Sequence, residues 1–308
     1  MENRSRLEQA NDNAAGFWLA QARVNGWEYL HRPGLTAVRC ARSAADPHRV
    51  VITDPYGESA VLEEELSELL NSWRTTQLCL EDPYRRLDLS RFGCVHGLDM
   101  AIMVREPVVV PGPNAMPGSP LVPGSALGPG SALAPGQAVV VGSAAGSTGS
   151  VGTAGWGGRR RYGDELTVAQ AVDGEGLAAA ERTVVEGFPV PAHQPAVRGG
   201  MLAEGLLDEP GLRAWLAEVD GQEAGACLTY DNGTTVGVYW VATLPGHRSR
   251  GVARALVEAA LAAHPDRPAV LVATLLAEPL YRKLGFVEQG VTRWWGYPAA
   301  PEAYPSGA

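Results

Sequence analysis

The sequence lacks any run of about twenty apolar residues, the length that a transmembrane helix needs. Its first residues, Met1 to Arg6, are rich in polar groups and lead into further polar residues, so no secretory signal is expected. Positive charge is in deficit: the net charge is −9, whereas a nucleic-acid surface needs a basic patch. These absences predict a cytoplasmic protein that binds neither membrane nor nucleic acid.

Clustered metal ligands are also missing. The four cysteines, Cys40, Cys79, Cys94 and Cys227, form no Cys-x-x-Cys pair, and the six histidines are scattered. We therefore expect no metal site. The cysteines are interpreted as small, buried side chains in a reducing compartment.

The composition changes abruptly near Glu106 and near Arg159, and the stretch between them carries no charged side chain. This stretch contains a six-residue repeat whose units begin at residues 117, 123, 129 and 135. A hexapeptide period can indicate a β-helix, but four proline-containing turns would have no capped core. We interpret residues 107–158 as a disordered Pro/Gly/Ser/Ala linker with polyproline character.

The length of 308 residues favours two domains around this linker. Residues 1–106 have the pattern of a small α/β domain without a visible catalytic constellation. The predicted elements are a helix over 8–25, strands over 35–40 and 49–53, a turn over 54–57, a helix over 60–73 and a closing strand over 97–105.

Residues 159–298 alternate strands with helices, and residues 299–308 form a tail. Strands are predicted over 165–171, 212–219, 223–230, 235–243 and 269–274, with one or two more over 286–297. Helices are predicted after the capping residue Asp173, near 201–207, and over 250–263 and 278–284. This order indicates a second α/β domain.

The stretch from Val238 to Leu256 carries the chemistry. It reads as an apolar strand, a turn, and a helix with small residues, Gly251 and Ala253, near its start. A helix N-terminus has unpaired N–H groups and partial positive charge, and small residues let an anion approach them. Nearby arginines at positions 248, 250 and 254 add charge. The pattern predicts a pyrophosphate site built mainly from main-chain donors.

Neither a dinucleotide Gly-x-Gly-x-x-Gly pattern nor a Walker loop is present. Instead, Arg248-x-x-Gly251-x-Ala253 resembles the acetyl-CoA signature of the GNAT N-acetyltransferase superfamily. The segment from Tyr281 to Phe286 resembles the downstream Leu-Tyr-x-x-x-Gly-Phe segment of that family. The resemblance implies the acyl-CoA N-acyltransferase fold, an α/β (α+β) fold with a mixed, mostly antiparallel central sheet flanked by helices. Here a smaller N-terminal α/β domain is added.

The resemblance also implies roles for individual residues. The backbone of Val241 and Thr243 would pair with the pantetheine arm of acetyl-CoA, and Thr274 stands where many relatives place a coenzyme-contacting asparagine. The pyrophosphate would be held by Arg248, Ser249, Arg250, Gly251, Val252, Ala253 and Arg254. Tyr281 would be the general acid that protonates the leaving thiolate, a role suited to a side chain with an ordinary pKa near 10.

The general base is the weak point of the resemblance. Relatives often carry a Glu or His on the fourth strand, but the corresponding positions here are Gly237 and Tyr239. Two other groups are candidates for catalysis through water: Glu186 at the end of the first helix, and His193 in a proline-rich loop. An acceptor amine of low pKa would need no base.

Aromatic pairs suggest the acceptor cleft. Strand alternation predicts that one member of Tyr239–Trp240, and one of Trp294–Trp295, lines this cleft while its neighbour packs in the core. With aromatic walls and no evident acidic anchor, we expect a small or partly apolar amine. The N-terminal domain is either a degenerate copy of the same fold or an unrelated α/β cap.

The sequence thus predicts an N-acetyltransferase that uses acetyl-CoA as co-substrate, without a metal, on a small-molecule or peptide amine. The chain is expected to be a monomer or homodimer. The alternative is a non-catalytic acyl-CoA-binding regulatory module, motivated by the missing base. An adaptor role for the linker is less favoured, because its prolines lack Pro-x-x-Pro spacing with flanking charge.

Overall fold

The computed structural model describes residues 4–40, 47–73, 77–107, 156–162, 165–188 and 190–297, which all belong to one compact unit. The predicted tail lies outside these ranges, and so does the predicted linker apart from residues 107 and 156–158. The disorder of the linker and the division into two domains stay predictions. Below, residues 4–107 are called the N-terminal half and residues 156–297 the C-terminal half.

The N-terminal half contains two α-helices and five strands. In chain order these are α1 (Arg6–Asn25), β1 (Tyr29–Arg32), β2 (Leu35–Val38), β3 (His48–Ile52), α2 (Ser59–Ser72), β4 (Leu78–Asp82) and β5 (Val95–Arg105). The helix predicted over 8–25 is confirmed. It starts at a capping box, because Ser5 and Glu8 each accept a hydrogen bond from the backbone N–H of the other.

The C-terminal half contains three α-helices and seven strands. They are β6 (Trp156–Tyr162), β7 (Leu166–Ala171), α3 (Gly174–Gly187), β8 (Leu212–Val219), β9 (Gln222–Asp231), β10 (Val236–Thr243), α4 (Val252–Ala262), β11 (Ala269–Ala273), α5 (Glu278–Lys283) and β12 (Val287–Tyr297). Asp173 caps α3 as predicted, accepting from the N–H groups of residues 175 and 176. Strand β6 was not predicted, and it includes residues 156–158 of the predicted linker.

All twelve strands form a single sheet in the order β1-β2-β3-β4-β12-β5-β11-β10-β9-β8-β7-β6. Only the pairs β3–β4 and β10–β11 are parallel, and every other neighbouring pair is antiparallel. The predicted fold class, a mixed and mostly antiparallel sheet flanked by helices, is therefore confirmed.

The last strand of each half lies beside the other half. Strand β5 pairs with β11 on one side and β12 on the other, and β12 also pairs with β4. The strand predicted over 97–105 is confirmed as β5, and it lies between two strands of the C-terminal half. The reason is visible in β5 itself, because Ala101 to Val104 are four consecutive buried residues and need apolar neighbours on both faces.

Helix α1 packs against both halves. Leu19 and Ala22 lie with Val38 of β2 in one apolar cluster, while Phe17 packs into the large cluster beneath β8 and β9. None of the helices in the described ranges combines the length and apolar character needed to cross a bilayer. Among the same residues, no His, Cys, Asp or Glu group is arranged to hold a metal ion.

Candidate coenzyme and acceptor site

Strands β10 and β11 separate along their length. Their parallel pairing is confined to Val236 and Gly237 opposite Ala269 and Val270, although β10 continues to Thr243. On the other edge of β10 the register with β9 passes from Tyr239–Leu228 to Ala242–Ala226. The two residues between them form a bulge, at which Trp240 has a φ of 54°.

Val241 therefore has no register partner in β9 or β11 among the described residues. Val241 lies beyond the last pair between β10 and β11, in the part of β10 where the two strands have separated. An extended ligand can enter such an opening and hydrogen-bond to the unpaired backbone, as an added strand would.

The loop after β10 turns main-chain donors outward. Ser249 and Gly251 adopt left-handed φ angles of 61° and 82°, a geometry typical of loops that present successive N–H groups to an anion. Gly251 is the N-cap of α4 and provides no side-chain cap. The first helical hydrogen bond runs from the Ala255 N–H to the Gly251 carbonyl, at 3.0 Å, so the N–H groups of residues 252–254 have no helical acceptor.

Space for an anion exists beside this loop. Among the described residues, no atom lies within 4 Å of the position that a Cβ on Gly251 would take. The three arginines differ: Arg250 contacts Glu165 at 3.4 Å and Arg254 contacts Glu258 at 2.8 Å. Arg248 donates only to the Thr243 carbonyl, at 3.5 Å, and has no carboxylate partner among the described side chains. Arg248 is therefore the cation most available to a phosphate.

A cavity of about 190 Å³ lies where the two strands separate. Three of the predicted coenzyme or catalytic residues, Val241, Thr274 and Tyr281, line it together. The other walls come from both halves: Ala14, Phe17, Trp18, Arg49, Glu81 and Met100 from the N-terminal half, and Phe188, Val238, Tyr239, Trp240, Val272, Ala277 and Trp294 from the C-terminal half.

Tyr281 projects from α5 and is 6% exposed. Its ring packs edge-on against Phe286, with the ring centroids 5.8 Å apart. Burial, and to a smaller extent the nearby Cys227, raises the pKa of the Tyr281 phenol above its ordinary value of 10.0. The phenol therefore keeps its proton at neutral pH, as a general acid must.

The cavity contains an acid that the sequence did not indicate. Glu81 on β4 and Arg49 on β3 are the only charged residues among the described residues that line it. Burial raises the pKa of Glu81 to about 7, and the positive charge of Arg49 opposes this rise. The expectation of a pocket without an acidic anchor is therefore wrong. No strand is predicted around Glu81 from the sequence, so the sequence could not show that β4 directs Glu81 toward a cavity lined by the other half.

Residues 210–288, which include β10, the arginine loop and Tyr281, match the family model described as an acetyltransferase (GNAT) domain. The chain carries a GNAT acetyltransferase domain. It is therefore an acyltransferase, and the recognition made from Arg248, Gly251, Ala253 and Tyr281 is confirmed.

Solved structures share the fold of the whole chain. A GCN5-related N-acetyltransferase from Kribbella flavida has a TM-score of 0.53 at 17% identity, with 93% of this chain and 96% of that chain covered. Another from Sphaerobacter thermophilus has a TM-score of 0.51 at 15% identity, with 94% and 90% covered. At such identities the likeness shows the fold alone. No curated protein sequence matches the chain.

At the two positions of β10 where GNAT relatives often carry a base, Gly237 and Tyr239 pack against helix α1. The Tyr239 hydroxyl donates to Asn13 Oδ1 at 2.6 Å, and the Tyr239 ring stacks on Phe17 with centroids 4.0 Å apart. Asn13 Nδ2 in turn donates to the Thr235 carbonyl at 2.9 Å. A Cβ at Gly237 would collide with the Asn13 side-chain oxygen. Helix α1 therefore takes the place where a base side chain would stand.

The two candidate bases, Glu186 and His193, do not line the cavity that contains Tyr281. Glu186 is exposed at the end of α3 and does not line it. His193 lines a smaller neighbouring cavity of about 60 Å³, which shares Trp18, Arg49 and Trp240 with the larger one. The geometry thus brings His193 closer to the acceptor side than Glu186, without placing either beside Tyr281.

The two aromatic pairs behave differently. Trp295 is buried in the core of the N-terminal half while Trp294 lines the cavity, so the prediction for this pair is confirmed. Tyr239 and Trp240 both line the cavity, and the prediction for them is wrong. The bulge at residues 240 and 241 interrupts the alternation of β10 and turns Trp240 to the same side as its neighbour.

Proposed function

We propose that the chain transfers an acetyl group from acetyl-CoA to a primary amine by direct attack in a ternary complex. One observation carries the proposal: a single cavity is lined both by Val241, which has no register partner in β9 or β11 among the described residues, and by the buried Tyr281. The reacting groups of a thioester and an amine would therefore meet beside a protonated acid. Catalysis would come mainly from positioning, with acid assistance.

The residues present fit the coenzyme. Its pyrophosphate would lie against the N–H groups of residues 249–254, beside the Arg248 guanidinium, in the space next to Gly251. Its pantetheine arm would run between β10 and β11 and hydrogen-bond to the backbone of Val241 and Thr243. The thioester would then reach the cavity near Thr274 and Tyr281.

The reaction replaces the C–S bond of the thioester by a C–N bond and one N–H bond of the amine by the S–H bond of the thiol, so the proton that the nitrogen loses balances the one that Tyr281 gives. The amine nitrogen attacks the thioester carbonyl carbon, the new C–N bond forms, and the C–S bond breaks. Tyr281 would donate its proton to the departing sulfur, which avoids release of a free thiolate into a largely apolar cavity. The volume of about 190 Å³ suits a small amine, or one amino group of a peptide.

The test measures free thiol from acetyl-CoA in the presence of alkylamines, arylalkylamines, diamines, amino sugars and peptides with a free α-amino group. We expect thiol release with at least one amine, and we expect Tyr281→Phe to lower kcat by roughly 10- to 1000-fold while acetyl-CoA affinity is kept. Tyr84→Phe is the matched control. Tyr84 donates to the Thr53 carbonyl at 3.1 Å, outside the cavity, so its loss should leave kcat unchanged.

The competing function is a non-catalytic acyl-CoA-binding module. Such a module would bind acetyl-CoA in the same groove but would release no thiol above the rate of spontaneous hydrolysis with any amine. An unchanged kcat in Tyr281→Phe would instead keep the enzyme and remove Tyr281 from its mechanism.

A further inference from the structure

We propose that Glu81, supplied by the N-terminal half, takes the proton from the acceptor ammonium group, and this inference rests on the acetyl transfer proposed above. The GNAT domain would then complete its active site with a carboxylate that lies outside residues 210–288.

The position of Glu81 follows from the sheet. Strand β4 alternates buried and partly buried residues, so that Leu80 and Asp82 face one side while Glu81 faces the other. Glu81 is directly opposite Trp294 of β12, the strand that crosses from the C-terminal half. Because β12 lies between β4 and β5, the exchange of strands brings Glu81 to the cavity that Tyr281 lines.

Among the described residues that line this cavity, Glu81 is the group whose pKa lies close to neutral pH. Arg49 from β3 stays charged, and its guanidinium lies over the Trp18 ring at 4.4 Å. Burial raises the pKa of Cys79 on the same strand, of Tyr239 on β10 and of Tyr281 on α5 above their ordinary values, so these three groups stay protonated. Burial also raises the pKa of Glu81 to about 7, which matches a base that works at neutral pH.

A second group points to a polar ligand in this part of the cavity. The indole N–H of Trp294 is buried and has no acceptor within the described ranges. An unsatisfied buried donor is costly, and Trp294 lines the same cavity directly across from Glu81. We therefore expect an oxygen of the acceptor or of the acyl group to accept this hydrogen bond when both substrates are bound.

The protons balance as follows. An ammonium acceptor gives one proton to the Glu81 carboxylate, which leaves a neutral amine and a carboxylic acid. The amine attacks the thioester, the C–S bond breaks, and Tyr281 protonates the sulfur. The second proton lost by the nitrogen replaces the one that Tyr281 gave, and Glu81 passes its proton to solvent. Each turnover therefore converts ammonium and thioester to amide, thiol and one released proton.

The experiment compares wild type, Glu81→Gln and the control Glu64→Gln, in which an exposed carboxylate on α2 is removed. The acceptor is the most active primary amine from the panel. For wild type, we expect kcat/KM to rise with pH and level off with an apparent pKa of about 7. In Glu81→Gln, kcat/KM at neutral pH should fall roughly 100-fold and should climb about tenfold per pH unit toward the pKa of the amine itself. Glu64→Gln should match wild type.

A fluorinated analogue of the same amine separates a base from a merely structural residue. Three fluorines at the β-carbon lower the pKa of the amine below 7, so most of it is already neutral at pH 7 and needs no base. The loss caused by Glu81→Gln should shrink to less than about fivefold with this analogue. The role of Glu81 would be overturned by an equal loss of kcat/KM with both amines. It would also be overturned if the kcat/KM of Glu81→Gln still levelled off with an apparent pKa of about 7, as in wild type.

Failure of this inference differs from failure of the proposed function. If wild type releases no thiol with any amine, acetyl transfer itself is wrong and the role of Glu81 falls with it. If Glu81→Gln no longer binds acetyl-CoA, Glu81→Asp takes over the test, because it keeps a carboxylate at the same place. We then expect a slower enzyme whose kcat/KM still rises with pH and levels off near pH 7, and loss of this rise would contradict the inference.

Discussion

The β3–α2–β4 unit of the N-terminal half and the β10–α4–β11 unit of the C-terminal half have the same order: strand, loop, helix and parallel strand. In the first, β3 and β4 pair at four successive positions, from His48–Leu78 to Val51–Glu81. In the second, β10 and β11 pair at two positions and then separate. Two units of one topology thus differ in their strand pairing: the first stays paired along its strands and is called the closed unit, and the second separates and is called the open unit.

The loops that precede α2 and α4 also differ in charge. The loop between β3 and α2, residues 53–58, has no arginine and carries Asp54 and Glu58, the latter as N-cap of α2. The loop between β10 and α4 carries two arginines, Arg248 and Arg250, and Gly251, and Arg254 follows in the first turn of α4. A carboxylate at a helix start repels phosphate, whereas arginines and an open backbone attract it. An anion site therefore needs more than the helix N-terminus that both units possess.

The closed unit contributes to the site in another way. Because its strands stay paired, β4 presents a continuous face, and Glu81 on that face reaches the cavity formed by the open unit. Under the two proposals above, the C-terminal unit would bind the coenzyme and the N-terminal unit would provide the acid–base environment of the acceptor.

The largest expected effect comes from closing the open unit at its loop. Gly251→Val places a side chain in the empty space beside the N–H groups and strains a residue with a φ of 82°. We expect acetyl-CoA affinity, measured by calorimetry, to fall by roughly 100-fold or more, about 2.7 kcal/mol. Gly57→Val changes the corresponding loop of the closed unit, where a Cβ also meets open space, and should leave affinity unchanged. Equal affinities of the two variants would remove the loop from the coenzyme site.

Local patterns predicted the elements of both units except β4. Helix α1, the Asp173 cap and strands β8 to β11 were found from periodicity and capping residues, and the arginine–glycine motif located the loop before α4. The sequence could not show that β5 lies between β11 and β12, because this pairing joins Ala269 to Arg105 across more than half the chain and leaves no local signature. The contribution of Glu81 depends on that exchange and was missed for the same reason. The β10 bulge was missed because a left-handed Trp240 breaks the usual preference of its residue type.

The next effect concerns the helix that joins the two units. Asn13 is fully buried, and its amide donates to the carbonyls of Tyr230 and Thr235 while its oxygen accepts from Tyr239. Asn13→Ala leaves these groups unsatisfied, so we expect the free energy of unfolding to fall by about 3 kcal/mol in urea titrations. Asn71→Ala, at an exposed site on α2, should change it by less than about 0.5 kcal/mol. A similarly small change in Asn13→Ala would show that the contact between α1 and β10 is dispensable.

A smaller effect tests the environment that the closed unit provides. The pKa of Glu81 is raised from 4.5 to about 7 in the folded protein. Between these two values the folded state binds a proton more tightly than the unfolded state, so stability falls as the pH rises through this window. The side chain is only partly buried, which reduces the full linkage energy. We expect Glu81→Gln to be more stable than wild type by about 1–3 kcal/mol near pH 8, with no difference near pH 4. Parallel pH–stability curves for the two proteins would contradict a raised pKa.

The smallest effect comes from removing one positive charge from the loop of the open unit. Arg248 has no carboxylate partner among the described residues, whereas Arg254 is already paired with Glu258. Arg248→Gln should therefore weaken acetyl-CoA binding about tenfold, or ~1.4 kcal/mol, and Arg254→Gln by less than about threefold. The main-chain donors remain in both variants, which is why neither loss should approach that of Gly251→Val. Because the Arg248 contact is exposed, its contribution should shrink as salt is added. If the two arginine variants lose equal affinity at every salt concentration, the ion pair of Arg254 does not withhold it from the coenzyme, and the loop acts as one diffuse positive patch.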